Sequence, residues 1–142
     1  MISWTHSLEL IDWEKMEELY RLAPLGNKSA ESLKTVFTNS RFRWFVFDGD
    51  KLIGAGRALA DGADCSYLCD IALLPEYQGQ GLGREIVLRL LQDSRGHKKI
   101  LLYSVPGKEA FYKKLGFHRL LTAMAQFENH EEAVQRGHLD PT

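Results

Sequence analysis

The feature that most constrains the fold of this chain is a glycine-rich stretch at residues 78–84, which reads Gln-Gly-Gln-Gly-Leu-Gly-Arg. It follows an apolar run at residues 67–74 that predicts a strand, and it opens an amphipathic pattern typical of a helix. A strand that turns through glycines into a helix leaves backbone N–H groups unpaired at the positive end of the helix dipole. A Cβ at Gly81 or Gly83 would restrict this turn and hold a ligand away from the backbone. The stretch therefore predicts a phosphate-binding turn.

Three kinds of phosphate-binding loop can be compared with this stretch. The P-loop is excluded because no Gly-Lys-Ser/Thr is present. The dinucleotide fingerprint fits poorly, because the spacing is Gly79-x-Gly81-x-Gly83 and the next predicted strand offers no acidic residue for a ribose. The third pattern is Gln/Arg-x-x-Gly-x-Gly/Ala, which Gln78, Gly81 and Gly83 fill completely. In this the chain resembles the GNAT acetyltransferases, which use such a loop for the pyrophosphate of acetyl-coenzyme A.

A second motif supports this resemblance. A glycine-rich turn alone is equally compatible with a flexible surface turn. Residues 111–117, however, read Phe-Tyr-Lys-Lys-Leu-Gly-Phe and resemble the late Phe-Tyr-x-x-Leu-Gly-Phe signature of the same family. They lie about one crossover unit after the first motif, as a β-α-β-α order requires. The resemblance is good over residues 43–127, and residues 1–40 fit it only in general pattern.

Composition restricts the classes of partner. The 142 residues suit one domain over residues 1–142, and the formal net charge of −1 without blocks of like charge argues against binding to nucleic acid or an anionic membrane. The first ten residues lack the features of a signal peptide, and no apolar run is long enough to span a membrane, so we expect a cytoplasmic protein. Cys65 and Cys69 have no metal-ligand spacing, so we expect two reduced packing residues and no metal.

The order of elements follows from periodicity, caps and turns. For the first half we expect a strand at residues 2–9, helices capped by Asp12 and Ser29, and strands at residues 43–47, 51–59 and 65–74 joined by turns at 48–50 and 61–64. For the second half we expect a helix from Gly83 to residues 95–96, a parallel strand at 99–105, a short helix at 107–115 ended by Gly116 and a last strand at 117–127. We expect the polar tail at 128–142 to fray or to pack loosely.

This mixed α/β order matches the GNAT fold, in which a central mixed sheet has antiparallel N-terminal strands and flanking helices. In that fold the fourth and fifth strands splay apart, and free backbone groups of the fourth strand pair with the pantetheine arm of the coenzyme. The resemblance implies acetyl-coenzyme A as acetyl donor. It also implies coenzyme contacts at Ile71, Ala72, Leu73, Gln78, Gly79, Gln80, Gly81, Leu82, Gly83, Arg84, Phe111, Tyr112 and Lys114.

Acetyl transfer from a thioester to an amine requires a proton donor for the thiolate and stabilisation of an oxyanion. The resemblance gives the acid role to Tyr112, although this residue can also be read as a half-buried aromatic that packs near Leu115. The resemblance also implies that the N–H group of Leu73 or of a neighbouring residue stabilises the oxyanion.

The base that accepts the amine proton is left open by the sequence. Some members of the family carry a glutamate eleven residues before the motif glutamine, and Tyr67 takes that place here. Asp70 is the only acid in the same predicted strand, but alternation turns it away from Tyr67 and Cys69 unless a bulge shifts the register. A structural role for Asp70, such as a pair with an arginine, is an equal alternative, and water is a third candidate for the base.

The acceptor side gives weaker signals. Asp61 is read either as a turn residue or as a partner for an ammonium group. Trp44, Phe45 and Phe47 are read either as core or as an aromatic acceptor pocket. We predict an N-acetyltransferase that moves acetyl to the primary amine of a small molecule by direct transfer in a ternary complex. A non-catalytic acyl-coenzyme A sensor and a peptide α-amine acetyltransferase are the alternatives, and the oligomeric state, including a homodimer, stays open.

Overall fold

The structure, a computed structural model, describes all 142 residues, which form two compact units, Met1–Leu102 and Tyr103–Thr142. Each unit is described by itself. The first unit contains a five-stranded sheet in which the spatial order of the strands is their order along the chain. The first four strands are antiparallel and the fifth is parallel to the fourth, which confirms the predicted mixed α/β sheet.

The elements of the first unit follow the predicted order, but the first strand ends at Thr5 instead of residue 9. The strands are β1 Ile2–Thr5, β2 Phe42–Asp48, β3 Lys51–Ala60, β4 Cys65–Leu73 and β5 Lys99–Leu101. The helices are α1 Trp13–Leu22, α2 Ala30–Thr38 and α3 Leu82–Asp93, with a short 3₁₀ turn at Pro75–Tyr77. None of the helices has the length and apolar character needed to cross a membrane.

The first two helices begin at the predicted caps. The Asp12 carboxylate accepts hydrogen bonds from the N–H groups of Glu14 and Lys15, and the Ser29 hydroxyl accepts one from Ser32. These side chains satisfy N–H groups that the start of a helix leaves without partners. Both predicted caps are therefore confirmed.

Helices cover both faces of the sheet. On one face α1 and α2 bury Tyr20 and Phe37, and the Phe37 ring lies 5.4 Å from that of Phe45. On the other face α3 lies so close that a Cβ at Gly56 would come within 2.7 Å of the Ile86 Cγ2 atom. Phe45 is fully buried and is a core residue, while Trp44 and Phe47 are half-buried.

Asp61 organises the turn between β3 and β4. Its carboxylate accepts hydrogen bonds from the N–H groups of Ala63, Asp64 and Cys65, at 2.7 to 3.2 Å. These bonds favour the charged form and lower the pKa of Asp61 to about 2. The turn interpretation of Asp61 therefore agrees with the structure.

This pKa predicts how stability depends on pH. Because the pKa of Asp61 is lower in the folded chain than its ordinary value of 3.8, its stabilisation is present above that value and is lost as the pH falls toward about 2. We expect Asp61→Asn to melt at a lower temperature than the natural chain near neutral pH. The difference between the two melting temperatures should close between about pH 4 and about pH 2, as followed by circular dichroism. A difference that stays constant over this range would contradict the assignment.

The second unit departs from the sequence prediction. It contains α4 Glu109–Lys113 and α5 His130–Gln135, and no strand forms at residues 117–127. The predicted last strand is therefore wrong, and β5 ends at Leu101 instead of residue 105. Residues 117–127 lack the alternation of a half-buried strand, because adjacent Leu120 and Leu121 are both exposed.

The tail also differs from the prediction of a segment that frays or packs loosely, since it contains the capped helix α5. Asn129 caps this helix by accepting a hydrogen bond from the N–H group of Glu132, and the Asn129 amide donates to the Glu132 carboxylate. Ala133 is buried. The Asn-x-x-Glu spacing resembles a capping box, so the start of α5 could have been predicted from the sequence.

Candidate coenzyme site

The glycine-rich loop joins the 3₁₀ turn to α3. Gly79 and Gly81 have φ angles of +81° and +84°, which side-chain-bearing residues rarely adopt. A Cβ built at either glycine would meet no protein atom within 4 Å. The glycines therefore serve the shape of the loop and leave open space above its backbone, which is the space that a ligand needs.

The start of α3 differs from the starts of α1 and α2 because its cap, Gly81, has no side chain to accept a hydrogen bond. Glu85 is the first residue of this helix whose N–H group bonds back, to the Gly81 carbonyl at 3.0 Å. The four N–H groups of residues 81–84 donate to no acceptor in the protein. Four uncapped donors at the positive end of a helix dipole form an anion site that suits a pyrophosphate.

Gln78 ties the loop to the end of β4. Its side-chain amide donates to the Leu73 carbonyl at 3.2 Å. Gln78 therefore acts here by fixing the loop against the strand. Of the other predicted loop residues, Gln80 and Arg84 are exposed, and Leu82 is half-buried at the first position of α3.

One edge of β4 is open beyond the point where β5 ends. The strand β5 pairs with β4 only at the residues from Cys65 to Tyr67. Farther along, the Leu74 N–H group donates to the Ile53 carbonyl of the neighbouring chain segment at 2.8 Å. Since backbone groups alternate between the two edges of a strand, those of Leu73 and Ile71 point to the open edge. The Ile71 backbone groups and the Leu73 N–H group are thus available there, while the Leu73 carbonyl accepts from Gln78. Ala72 faces β3 between them.

A β-bulge lies in β4 beyond Tyr67, the last residue of this strand that pairs with β5. Asp70 and Ile71 together lie opposite Gly56, and Asp70 has a φ of +55°, the only positive value outside glycine. The Tyr20 hydroxyl donates to the Asp70 carbonyl at 2.5 Å, which holds this conformation in place. The extra residue changes which backbone groups face the open edge, because a bulge shifts the alternation by one.

The bulge also decides the surroundings of the Asp70 side chain. Its carboxylate lies 2.7 Å from the Arg57 Nε atom and 3.5 Å from the Lys28 Nζ atom. The proposed arginine pair is therefore present in the structure. Cys69, on the same strand, is a free thiol whose pKa burial raises to about 11. Tyr67 is half-buried and lies opposite Leu59.

The second unit carries the remaining predicted residues, Phe111, Tyr112 and Lys114. The Tyr112 ring is half-buried and makes edge-to-face contacts with Phe111 and Phe117, with ring centroids 5.0 and 5.9 Å apart. Burial raises the pKa of the Tyr112 phenol. Gly116 ends this segment with a φ of +93°, as predicted. Lys114 follows the last residue of α4 and is exposed.

The structure shows no group of three or more His, Cys, Asp or Glu side chains arranged to hold a metal ion.

Comparison with known proteins places the chain in a family. Residues 8–117 match the profile of the acetyltransferase (GNAT) family. The chain belongs to this family, whose members are acyltransferases that generally use acetyl-coenzyme A.

Individual relatives agree with this assignment. An uncharacterized N-acetyltransferase of Prochlorococcus marinus is 31% identical over 82% of this chain and 67% of its own length. The chloroplastic serotonin N-acetyltransferase 2 of rice is 29% identical over 75% of this chain and 56% of its own length. A GNAT-family acetyltransferase structure from Streptococcus pneumoniae has a TM-score of 0.77 and 25% identity, covering 92% of this chain and all of that chain. The chain thus spans about half to two thirds of these two curated relatives.

Proposed function

We propose that this chain is an N-acetyltransferase that moves acetyl from acetyl-coenzyme A to the primary amine of a small molecule. The observation that carries the proposal is the uncapped start of α3, where the N–H groups of residues 81–84 have no acceptor. These groups would hold the pyrophosphate of the coenzyme. The backbone groups of Ile71 at the open edge of β4 would pair with its pantetheine arm.

When bound, acetyl-coenzyme A would supply an activated acetyl group as its thioester. The N–H group of Leu73 is our candidate to stabilise the developing oxyanion, because it points to the open edge. The Tyr112 phenol is our candidate proton donor. Its raised pKa keeps it protonated at neutral pH, as an acid that protonates a thiolate must be.

Direct transfer in a ternary complex is supported by the state of Cys69. A covalent acetyl-enzyme would need a reactive nucleophile, and the thiolate is the reactive form of a cysteine. Burial raises the pKa of Cys69 to about 11, so this thiol stays protonated near neutral pH.

The proposal of a small acceptor is supported by the charge of the chain. A net charge of −1 without runs of acidic residues offers little to attract a polycationic protein tail. The rice relative is named for serotonin, a small amine. We retain the cytoplasm as the proposed location, although that relative is named as chloroplastic.

The proposal is tested with a panel of primary amines and acetyl-coenzyme A, followed by detection of free coenzyme thiol and by mass spectrometry of the amine. We expect thiol release that depends on the amine and matches the acetylated product mole for mole. Coenzyme binding without transfer to any small amine or peptide would contradict an acetyltransferase and favour the sensor alternative. Acetylation of peptide α-amines alone would contradict the small-molecule acceptor.

The rate should also depend on the protonation of the amine. A free alkylammonium has a pKa of about 10.4, so most of the acceptor is charged and unreactive at neutral pH. The carboxylate of Asp70 is already engaged by Arg57 and Lys28, so no free acid on β4 is evident as a base. We expect kcat/KM for the amine to rise from about pH 6 to about pH 9. A profile that is flat or falls over this range would contradict rate-limiting supply of neutral amine.

A further inference from the structure

A cationic cluster lies beside the bulge of β4 and is formed by Lys28, Arg43 and Arg57 around Asp70 and Ser40. Arg57 donates to the Asp70 carboxylate at 2.7 Å and to the Ser40 hydroxyl at 3.3 Å. Arg43 donates to the Ser40 carbonyl at 3.1 Å. Lys28 lies 3.5 Å from the other Asp70 oxygen. Ser40 thus holds the two arginines side by side.

The cluster contains three cations and one carboxylate. Arg43 and Arg57 lie directly opposite each other on β2 and β3, and like charges in this position are unfavourable. Arg43 has no ion pair, and its Nε atom is buried without a hydrogen-bond acceptor. A buried donor without a partner is costly to stability. A purely structural role, in which the cluster stabilises the bulge, requires only the pair of Arg57 and Asp70. That role does not explain why Arg43 and Lys28 are also present.

The cluster is placed to meet an acceptor substrate. Asp70 directly precedes Ile71, whose backbone points to the open edge of β4. Lys28 lies between α1 and α2, and 34% of its side chain is exposed, so solvent reaches the cluster from this side. An anion bound here would lie next to the strand along which the coenzyme is proposed to bind.

We propose that this cluster binds an anionic group, a carboxylate or a phosphate, carried by the acceptor amine. The inference rests on the proposed function and narrows it to amines that also bear a negative charge. Arginine suits both groups because its planar donors match their oxygen atoms, and Lys28 adds a point charge. The cluster would favour anionic over neutral acceptors, because a neutral substituent would leave the uncompensated cations without a partner.

Matched acceptor pairs test this proposal. O-phosphoethanolamine is compared with ethanolamine, and 5-hydroxytryptophan with serotonin, since each pair differs only in the phosphate or the carboxylate. In at least one pair we expect kcat/KM to be at least about 10-fold higher for the anionic amine than for its neutral partner. This is about the effect of gaining one charge-assisted hydrogen bond. The pair that shows the difference identifies the anion. Equal values within both pairs would overturn the proposal.

Variants locate the effect in the cluster. Lys28→Glu and Arg43→Gln should lower the ratio of anionic to neutral kcat/KM by about 10-fold, mainly through KM, and Lys28→Arg should restore it. Lys34→Glu, an exposed change on α2, makes the same charge reversal outside the cluster and should keep the ratio. Melting temperatures confirm that each variant is folded. A ratio that survives both cluster variants in folded protein would overturn the proposal.

The inference can fail separately from the proposed function. If no amine is acetylated, the proposed function fails, and calorimetric titration with O-phosphoethanolamine still tests the cluster. Binding that Lys28→Glu weakens would support an anion site. No binding to the natural chain, or binding that Lys28→Glu leaves unchanged, would overturn it.

Discussion

Gly81→Val is expected to weaken the binding of acetyl-coenzyme A by more than about 10-fold, measured by titration calorimetry. In the natural chain nothing of the protein occupies the space above Gly81, so the valine side chain enters the volume assigned to the pyrophosphate. The φ of +84° adds backbone strain, because side-chain-bearing residues disfavour this conformation. The loss therefore combines blocked N–H groups with a distorted loop.

Gly96→Val is the matched control for this prediction. Gly96 follows the end of α3, has a φ of +93°, and its Cβ would also meet no atom within 4 Å. Both variants carry a similar strain, on the order of 1–2 kcal/mol, but only one lies in the loop. We expect similar melting temperatures and a coenzyme affinity that is lost only in Gly81→Val. A folded Gly81→Val with the affinity of the natural chain would place the phosphate site elsewhere.

Tyr112→Phe is expected to lower kcat by about 10²-fold or more while coenzyme affinity changes little. The substitution keeps the ring and its edge-to-face contacts with Phe111 and Phe117, and it removes only the hydroxyl. Because the phenol is the proposed proton donor, its loss should affect the chemical step. The measurement is steady-state kinetics with an acceptor found in the amine panel, with chemistry shown to limit turnover.

Tyr103→Phe provides the comparison in the same unit of the chain. It removes the hydroxyl of a tyrosine that is 57% exposed and whose ring contacts Phe127 and His138. We expect its kcat to stay near that of the natural chain. Equal kcat values for Tyr112→Phe and the natural chain would remove Tyr112 from the acid role.

The sequence was sufficient where the determining signal is local. The caps at Asp12 and Ser29 and the left-handed glycine at Gly116 are each fixed by a few neighbouring residues, and the structure confirms them. The loop and α3 belong to the same class, since glycines at fixed offsets and a helical apolar pattern specify them. The loop and the start of α3 form the proposed pyrophosphate site, so this part of the site could be predicted from the sequence.

The features that depend on distant parts of the chain could not be read. Lys28 meets Asp70 across 42 residues of sequence, and no pattern near either one signals the contact. The bulge that brings Asp70 to Arg57 depends on the pairing of β3 with β4 and on the Tyr20 hydroxyl, so alternation alone gave only a conditional answer. At residues 117–127 the sequence predicted a strand that does not form. The apolar content of this segment suggested the strand, but several of its apolar side chains are exposed in the structure.

The most direct test of the coenzyme site is the response of individual glycine amides to coenzyme A in ¹⁵N-resolved NMR spectra. The N–H groups of Gly81 and Gly83 are among the free donors at the start of α3, whereas Gly96 lies beyond the other end of this helix. We predict that the resonances of Gly81 and Gly83 move on titration and that the Gly96 resonance does not. Bound coenzyme with unchanged Gly81 and Gly83 resonances would contradict the assignment of this loop as the site of donor binding.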